Sequence, residues 1–429
     1  LQPLQRIKAS YSIDAEQRKD IKQRILHWAN QYSILLFLDN NNYPTAYDGY
    51  ECLLAAGAVP SEKYAETLGE LQPLHDSTKD WLFGHICYDY KNALEPKLNS
   101  SHAAKIGFPD MCFFRPEVVI YLNREQTTLS IEAFEQPDGI YDAIKAADIQ
   151  QAAPIPKLNF TSVTGKETYL NTIARLRQHI ADGDCYEINF CNENFCINAD
   201  IDPLSIFNKL NALSPAPFAA YYRSGDIYMM CASPERYIKK IGTKVLSQPI
   251  KGTAARDRDL QKDEQSKEAL KTSIKERAEN VMIVDLVRND LARCSETGSI
   301  NVDELFGIYS FPQVHQMIST VSGTLKAPFA DAIRCSFPMG SMTGAPKFKV
   351  MELIDKYEHS RRELFSGTVG YITPDGDFDL NVIIRSLFYN AASRYLSYQT
   401  GGAITYDSNA EQEWEEMRLK AWALEQIFA

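Results

Sequence analysis

The alternation of hydrophobic and polar positions divides the chain into many short strand-like runs and fewer helical ones. Ile21, Ile25 and Trp28 recur at helical spacing, so residues 13–30 are expected to form a helix. Ser33 to Leu38 reads as an apolar strand ending at the turn Asp39-Asn40-Asn41-Asn42. Trp81 to Tyr88 and Met111 to Leu122 read as further strands, the second broken at Pro116, whose nitrogen has no proton for a ladder. From Gln136 to Lys157 the chain turns polar and alanine-rich around Ala152-Ala153-Pro154-Ile155-Pro156, the composition of a linker or crossover. Thr164 and Glu167 have capping-box spacing ahead of the stripe Tyr169, Ile173, Leu176 and Ile180, and Gly183 is placed to close that helix.

Downstream, Cys185–Cys196, Tyr228–Cys231, Arg236–Ile241 and Thr243–Leu246 read as strands, and one long helix is expected from about Glu264 to Leu291. Gly367–Ile372, Phe378–Tyr389 and Tyr395–Thr405, separated by Pro374-Asp375-Gly376-Asp377 and Ser393-Arg394, predict an antiparallel meander. A final helix runs from about Asn409 to Phe428. Strands that come as hairpins predict an α+β fold, with antiparallel sheets covered by helices. The linker divides the chain into an N-terminal portion, 1–155, and a second portion, 156–429.

At 429 residues the chain has room for a large core, and 45% hydrophobic with 24% charged residues is ordinary for a soluble protein. A net charge of −11 argues against a nucleic-acid binder. It permits an anionic substrate where cations or a metal are concentrated locally. No apolar run approaches the roughly 18 residues of a membrane span, and Leu1 to Ser10 contains no signal-peptide core. Nine scattered cysteines without a Cys-x-x-Cys predict reduced, buried thiols in a cytoplasmic protein.

Candidate chemistry gathers around Gln248-Pro249-Ile250-Lys251-Gly252-Thr253, with Ser233-Pro234-Glu235-Arg236 shortly before it. Glycine there allows close backbone approach to a ligand and threonine adds a hydroxyl, although a lone lysine before a turn is more often a surface cation. Glu276 and Glu279 are three apart, as are Glu413 and Glu416, so each helix presents two carboxylates on one face. Two such pairs would suit Mg²⁺; by spacing alone, a solvated face is the commoner reading. Gly340-Ser341-Met342-Thr343-Gly344-Ala345-Pro346-Lys347 is a glycine-rich lead into a helix, a generic anion cradle that lacks Walker A spacing. Arg385, in an apolar run beside Ile383 and Leu387, requires an anionic partner, either a protein carboxylate or a substrate carboxylate.

Taken in order, these stretches resemble the chorismate-utilising family of anthranilate, aminodeoxychorismate, isochorismate and salicylate synthases. The resemblance also rests on Glu279 to Asp290, on Val314-His315-Gln316-Met317-Ile318-Ser319, on Gly367 to Tyr371, on Ile384-Arg385-Ser386-Leu387 and on Gly401-Gly402-Ala403-Ile404. It is dense over residues 160–427 and thinner at Phe83 to Lys91. Lys251 resembles the lysine of the aminodeoxychorismate synthase branch, where anthranilate synthases carry alanine. The resemblance implies two packed antiparallel sheets, a β-sandwich core, surrounded by helices. It implies conversion of chorismate and ammonia to 4-amino-4-deoxychorismate, on the way to para-aminobenzoate and folate. Anthranilate synthase component I and a non-catalytic chorismate-binding relative are the alternatives.

Residue by residue, the resemblance implies Glu235 as general acid for the departing C4 hydroxyl and Lys251 as the amine that attacks C2. It implies Glu279 and Glu416 as Mg²⁺ ligands with Glu276 and Glu413 in support, and Gly252 and Thr253 at the ring carboxylate. Tyr371, Arg385, Gly401 and Gly402 would meet the pyruvyl carboxylate, and His315 would act as a positioning histidine. Glu187 departs from the pattern, standing where aminating relatives carry glutamine and water-using ones lysine, and is expected to receive or deprotonate ammonium. Leu38-Asp39-Asn40-Asn41 replaces the Leu-Leu-Glu-Ser of tryptophan-regulated relatives, so that regulation is not expected. No Gly-x-Cys-x-Gly glutaminase elbow is present, so ammonia is expected from solution or from a separate glutamine amidotransferase subunit.

Overall fold

The computed structural model describes residues 5–44, 47, 49–60, 62–149, 153–311 and 314–429. Residues 1–4 of the polar N-terminus and 150–152 of the expected linker lie outside the described residues. Among those described, the strands form two sheets of 12 and nine strands, accompanied by eleven α-helices. The larger sheet runs Ile7–Ser12, Thr128–Ala133, Pro116–Asn123, Tyr50–Ala58, Ile34–Asp39, Phe218–Ser224, Ile227–Ser233, Ser386–Asn390, Tyr395–Ile404, Glu187–Cys196 and Gly344–Ala345, with Thr161–Ser162 also on Glu187–Cys196. The smaller runs Ile250–Ala255, Val314–Thr324, Lys244–Gln248, Arg236–Ile241, Phe378–Asn381, Thr368–Ile372, Leu82–Ile86 and Met111–Phe114, with Asn301–Ser310 also on Val314–Thr324. The α+β architecture with antiparallel sheets is as expected.

The sheets share one core. Leu36, Leu53, Met229 and Cys231 of the larger meet Phe83, Val245, Val369 and Leu380 of the smaller. Successive strand residues point to opposite faces, so Leu35 and Phe37 turn outward onto a second cluster beneath helices Ile21–Ala29, Pro137–Ala146, Pro203–Leu213 and Ala410–Glu425. Burial on both faces explains why Ile34–Asp39 is apolar almost throughout instead of alternating.

Several sequence expectations change. The first α-helix starts at Ile21, preceded by a 3₁₀ turn at Gln17–Lys19. The expected linker contains the helix Pro137–Ala146, opened by proline in its first turn. Thr164 forms no capping box: Gly165 caps the helix, while Thr164 donates its N–H to Asn192 Oδ1 at 3.0 Å. The single helix expected at 264–291 is two, Leu260–Thr272 and Ile274–Ala292, broken where extended Ser273 accepts the N–H of Glu276.

The meander also divides, because Phe378–Asn381 belongs to the smaller sheet and Ser386–Asn390 to the larger. Arg385, at the crossing, has φ +52, so it does not continue a strand from Ile383 to Leu387. Met111–Phe114 and Pro116–Asn123 separate between the sheets in the same way. Residues on both sides of the expected division at 155 build both sheets: Ile34–Asp39 pairs with Phe218–Ser224, and Leu82–Ile86 with Thr368–Ile372. All nine cysteines are free thiols. Among the described residues no helix is long and apolar enough to cross a membrane.

Candidate active site

Two crossings between the sheets, side by side, set up one end of the sandwich. Ser233–Arg236 joins the larger sheet to the smaller, and 382–385 leads back. They are tied together by Val382 N–H to the Glu235 carbonyl at 3.0 Å and by Ser233 Oγ to the Val382 carbonyl at 2.5 Å. Glu235 and Arg385 thereby come within electrostatic reach of each other. Burial pushes the Glu235 carboxyl up to about 7, against the opposing pull of the Ser341 hydroxyl, the Ile250 N–H, Lys251 and Arg385. Burial lowers the Arg385 pKa, and the groups that act against that lowering are Glu235 and Tyr43.

Lys251 is aimed by a β-bulge. Ile250 faces Ile318 and Thr253 faces Gln316, so three steps on one strand oppose two on the other, with Lys251 and Gly252 between. Gly252 has φ +93, and a Cβ there would lie 3.0 Å from Glu276 Oε2. The side chain of Lys251 is buried and donates to Glu187 Oε1 at 2.5 Å. Glu187 opens Glu187–Cys196 and is 1% exposed, and its second oxygen is buried without a partner. Burial alone would lower the Lys251 pKa, but Glu187, helped by Glu279 and Glu235, outweighs it and raises the value. Pairing with Glu187 thus favours the ammonium form of Lys251.

The carboxylate pairs come from Ile274–Ala292 and Ala410–Glu425. Burial pushes Glu279 up to about 7, with Glu187 and Glu276 adding to the rise. Burial also raises Glu276, with Glu416 contributing, and Glu413, again with Glu416 contributing. Burial would raise Glu416 too, but Lys420, Lys275 and Lys251 reverse it and the pKa is lowered. Lys420 Nζ lies 2.8 Å from Glu416 Oε1 and donates to the Gly401 carbonyl at 2.9 Å, while Lys275 Nζ is 3.9 Å from Glu279. A Cβ on Gly402 would fall 3.1 Å from Glu413 Oε2. These facing, mutually repelling oxygen donors fit a hard divalent ion chemically. Among the described residues, no three His, Cys, Asp or Glu side chains stand as a preformed cage.

Gly252, Gly402 and the four glutamates are thus neighbours, and Thr253 is exposed at the end of the bulge. Tyr371 has its ring contacts in another cluster, whereas His315, opposite Ala254, adjoins Thr253. Tyr371 packs its ring near Tyr50, Trp81 and Phe83 and lines a cavity of about 60 Å³ with Asp39, Glu51 and Asp379. His315 is buried, its Nδ1 2.8 Å from Ser310 Oγ and its Nε2 3.1 Å from Asp263 Oδ1. Asp263 also accepts from Arg256 at 2.7 Å, so His315 braces the helix Leu260–Thr272 from beneath.

The sequence reading missed Ser341, Lys420 and Gln316. Ser341 lies in the glycine-rich stretch read as an anion cradle, yet its hydroxyl acts on Glu235. Lys420 was legible as the i+4 partner of Glu416. Gln316, next to His315 and in register with Thr253, has a buried carbonyl oxygen without a partner.

Residues 17–426 match the model of a single family, described as chorismate binding enzyme. The chain belongs to the chorismate binding enzyme family. This family member is 34% identical over 338 residues to aminodeoxychorismate synthase component 1 of Salmonella typhimurium, covering 78% of this chain and 73% of that protein. It is 33% identical over 368 residues to an anthranilate synthase component I-like protein of Synechocystis, covering 84% and 74%. The chloroplastic aminodeoxychorismate synthase of Arabidopsis thaliana is 34% identical over 366 residues; the match covers 79% of this chain but only 39% of that longer protein. The same fold occurs in the menaquinone-specific isochorismate synthase of Escherichia coli, with TM-score 0.78 at 17% identity over 99% of this chain and 94% of that one. Anthranilate synthase component I of Streptococcus pneumoniae gives TM-score 0.74 at 22% identity over 96% and 91%.

Proposed function

We propose that this family member aminates chorismate, converting chorismate and ammonia to 4-amino-4-deoxychorismate. What carries the reading is the convergence of buried Lys251 and Glu235, the second holding its proton near neutral pH, beside the carboxylates of Glu279 and Glu187. Chorismate is a dicarboxylate. Its pyruvyl carboxylate meets Arg385 and the Gly401–Gly402 backbone, and its ring carboxylate meets Gly252 and Thr253. Glu279 and Glu416, supported by Glu276 and Glu413, would hold Mg²⁺, which supplies positive charge for the ring carboxylate. Glu235 delivers its proton to the C4 hydroxyl, so that water departs instead of hydroxide. Lys251, once its proton has passed by way of Glu187 to solvent, attacks C2 as water leaves C4 and the ring double bonds shift; ammonia then adds at C4, the C2–N bond breaks to expel the lysine, and the new amine gives up one proton. Ammonia comes from solution or from a separate glutamine amidotransferase subunit.

The test incubates the protein with chorismate, Mg²⁺ and ammonium and then adds a lyase that releases para-aminobenzoate. Formation of para-aminobenzoate is expected, and Lys251→Ala should lose most of it. Anthranilate as the product would move the chain to the anthranilate synthase branch, and unchanged chorismate would leave it a binding protein.

A further inference from the structure

We infer that the carboxylate of Glu187 docks an ammonium ion beside Lys251, an inference that rests on the proposed amination of chorismate. The first observation is the division of labour between its two oxygens. Oε1 accepts from Lys251 Nζ at 2.5 Å, whereas Oε2 is buried and has no hydrogen-bond partner. An ionised carboxylate accepts about four hydrogen bonds, and a buried acceptor left empty is a place where a donor is favoured.

The second observation is the charge around it. Glu279 also faces this region, and Lys251 is the cation that it shares with Glu187. A group entering at Oε2 must therefore be a donor and gains further by being cationic; a substrate carboxylate is repelled from it. The third is rigidity. Glu187 pairs with Ala345 on the edge strand Gly344–Ala345. Gly344, with φ +139, approaches so closely that a Cβ there would lie 2.1 Å from the Glu187 carbonyl oxygen. With its backbone clamped from that side, Glu187 offers Oε2 at a fixed place next to the Lys251 nitrogen. A small tetrahedral cation with four N–H donors answers all three features. Glutamine at this position would supply a neutral acceptor without the charge.

Two readouts test the inference, one of them independent of turnover. The first is broadening of the ¹⁵N-ammonium resonances by wild-type protein and by Glu187→Gln. The second is the KM for ammonium and for chorismate in both proteins, with Glu187→Asp as the variant that keeps the charge. Wild type is expected to broaden the resonances and Glu187→Gln to lose the effect. The ammonium KM of Glu187→Gln should rise about tenfold or more while its chorismate KM stays within about twofold, and Glu187→Asp should recover part of the loss. Broadening that depends on Glu187 in a protein that never turns chorismate over would uphold the docking site and remove the amination reading. Equal broadening and an equal ammonium KM in wild type and Glu187→Gln would overturn the inference, as would a wild type that broadens nothing.

Discussion

At the scale of single residues, burial and function pull Glu235 in opposite directions. Its carboxyl is pushed up to about 7 chiefly by burial, so the folded protein prefers it protonated, while the unfolded chain releases that proton near the ordinary carboxylate value. The stability this preference contributes is fully present below about 4.5 and is lost as pH rises through about 7. Glutamine keeps the shape without the charge. Glu235→Gln is therefore expected to be more stable than wild type at pH 8, by up to about 3 kcal/mol, and to gain little at pH 4. Its chorismate turnover should fall by about 10²–10⁴-fold, the usual worth of a general acid. Thermal melts of both proteins at the two pH values decide it: an advantage of equal size at each would mean that the carboxyl does not titrate between them. In wild type, kcat/KM should decline above about pH 7, where the acid loses its proton.

At the scale of elements, the bulge at Lys251-Gly252 turns an ordinary edge pairing into a site. Gly252→Ala must hold φ +93 with a Cβ and place that carbon 3.0 Å from Glu276 Oε2 and 3.2 Å from Leu270 Cδ1. The strain is worth about 1–3 kcal/mol, and relieving it would re-aim Lys251. A lower melting temperature together with at least an order of magnitude less turnover is expected; an alanine variant matching wild type in both would show that the bulge does not aim the lysine. The bulge also marks where sequence reading stops. Helices were legible because Ile21, Ile25 and Trp28, and likewise Tyr169, Ile173 and Leu176, obey a local period that survives folding. The switch between sheets at Pro116 and at Arg385 was not, because a run of apolar residues looks the same whichever sheet receives it. Leu82–Ile86 finds its partner at Thr368–Ile372, far along the chain. Glu235, Lys251 and the glutamate pairs, named through the family pattern, come together in the fold. A motif does not say which neighbours its residue will have: the Tyr371 ring joins Tyr50, Trp81 and Phe83, and His315, opposite Ala254, meets Ser310 and Asp263. The break at Ser273 was hidden inside an otherwise continuous helical stretch.

At the scale of the whole molecule, the acidic site is a source of strain that a cation would relieve. Glu276 and Glu279 reach it from one helix, Glu413 and Glu416 from the last helix of the chain, and the protein already carries a net charge of −11. Burial raises the pKa values of Glu276 and Glu413; Glu416 adds to both, across the helices for Glu276 and along its own helix for Glu413, and Lys275 and Lys420 offset the rise only in part. Magnesium bound as proposed would couple these helices, which flank different strands of the sandwich. A ligand that binds only the folded chain stabilises it by about 2.7 kcal/mol at a concentration 100 times its Kd. The melting temperature should therefore rise with magnesium at pH 8. The rise should shrink at pH 6, because Glu279, pushed up to about 7, is then largely protonated and must give up a proton to bind metal. The variant Glu279→Gln should melt higher than wild type at pH 8 without magnesium, being rid of a carboxylate whose buried charge is disfavoured, and should not respond to the metal. A magnesium-dependent rise of the same size in that variant would place the ion elsewhere and leave these carboxylates to hold their lysines.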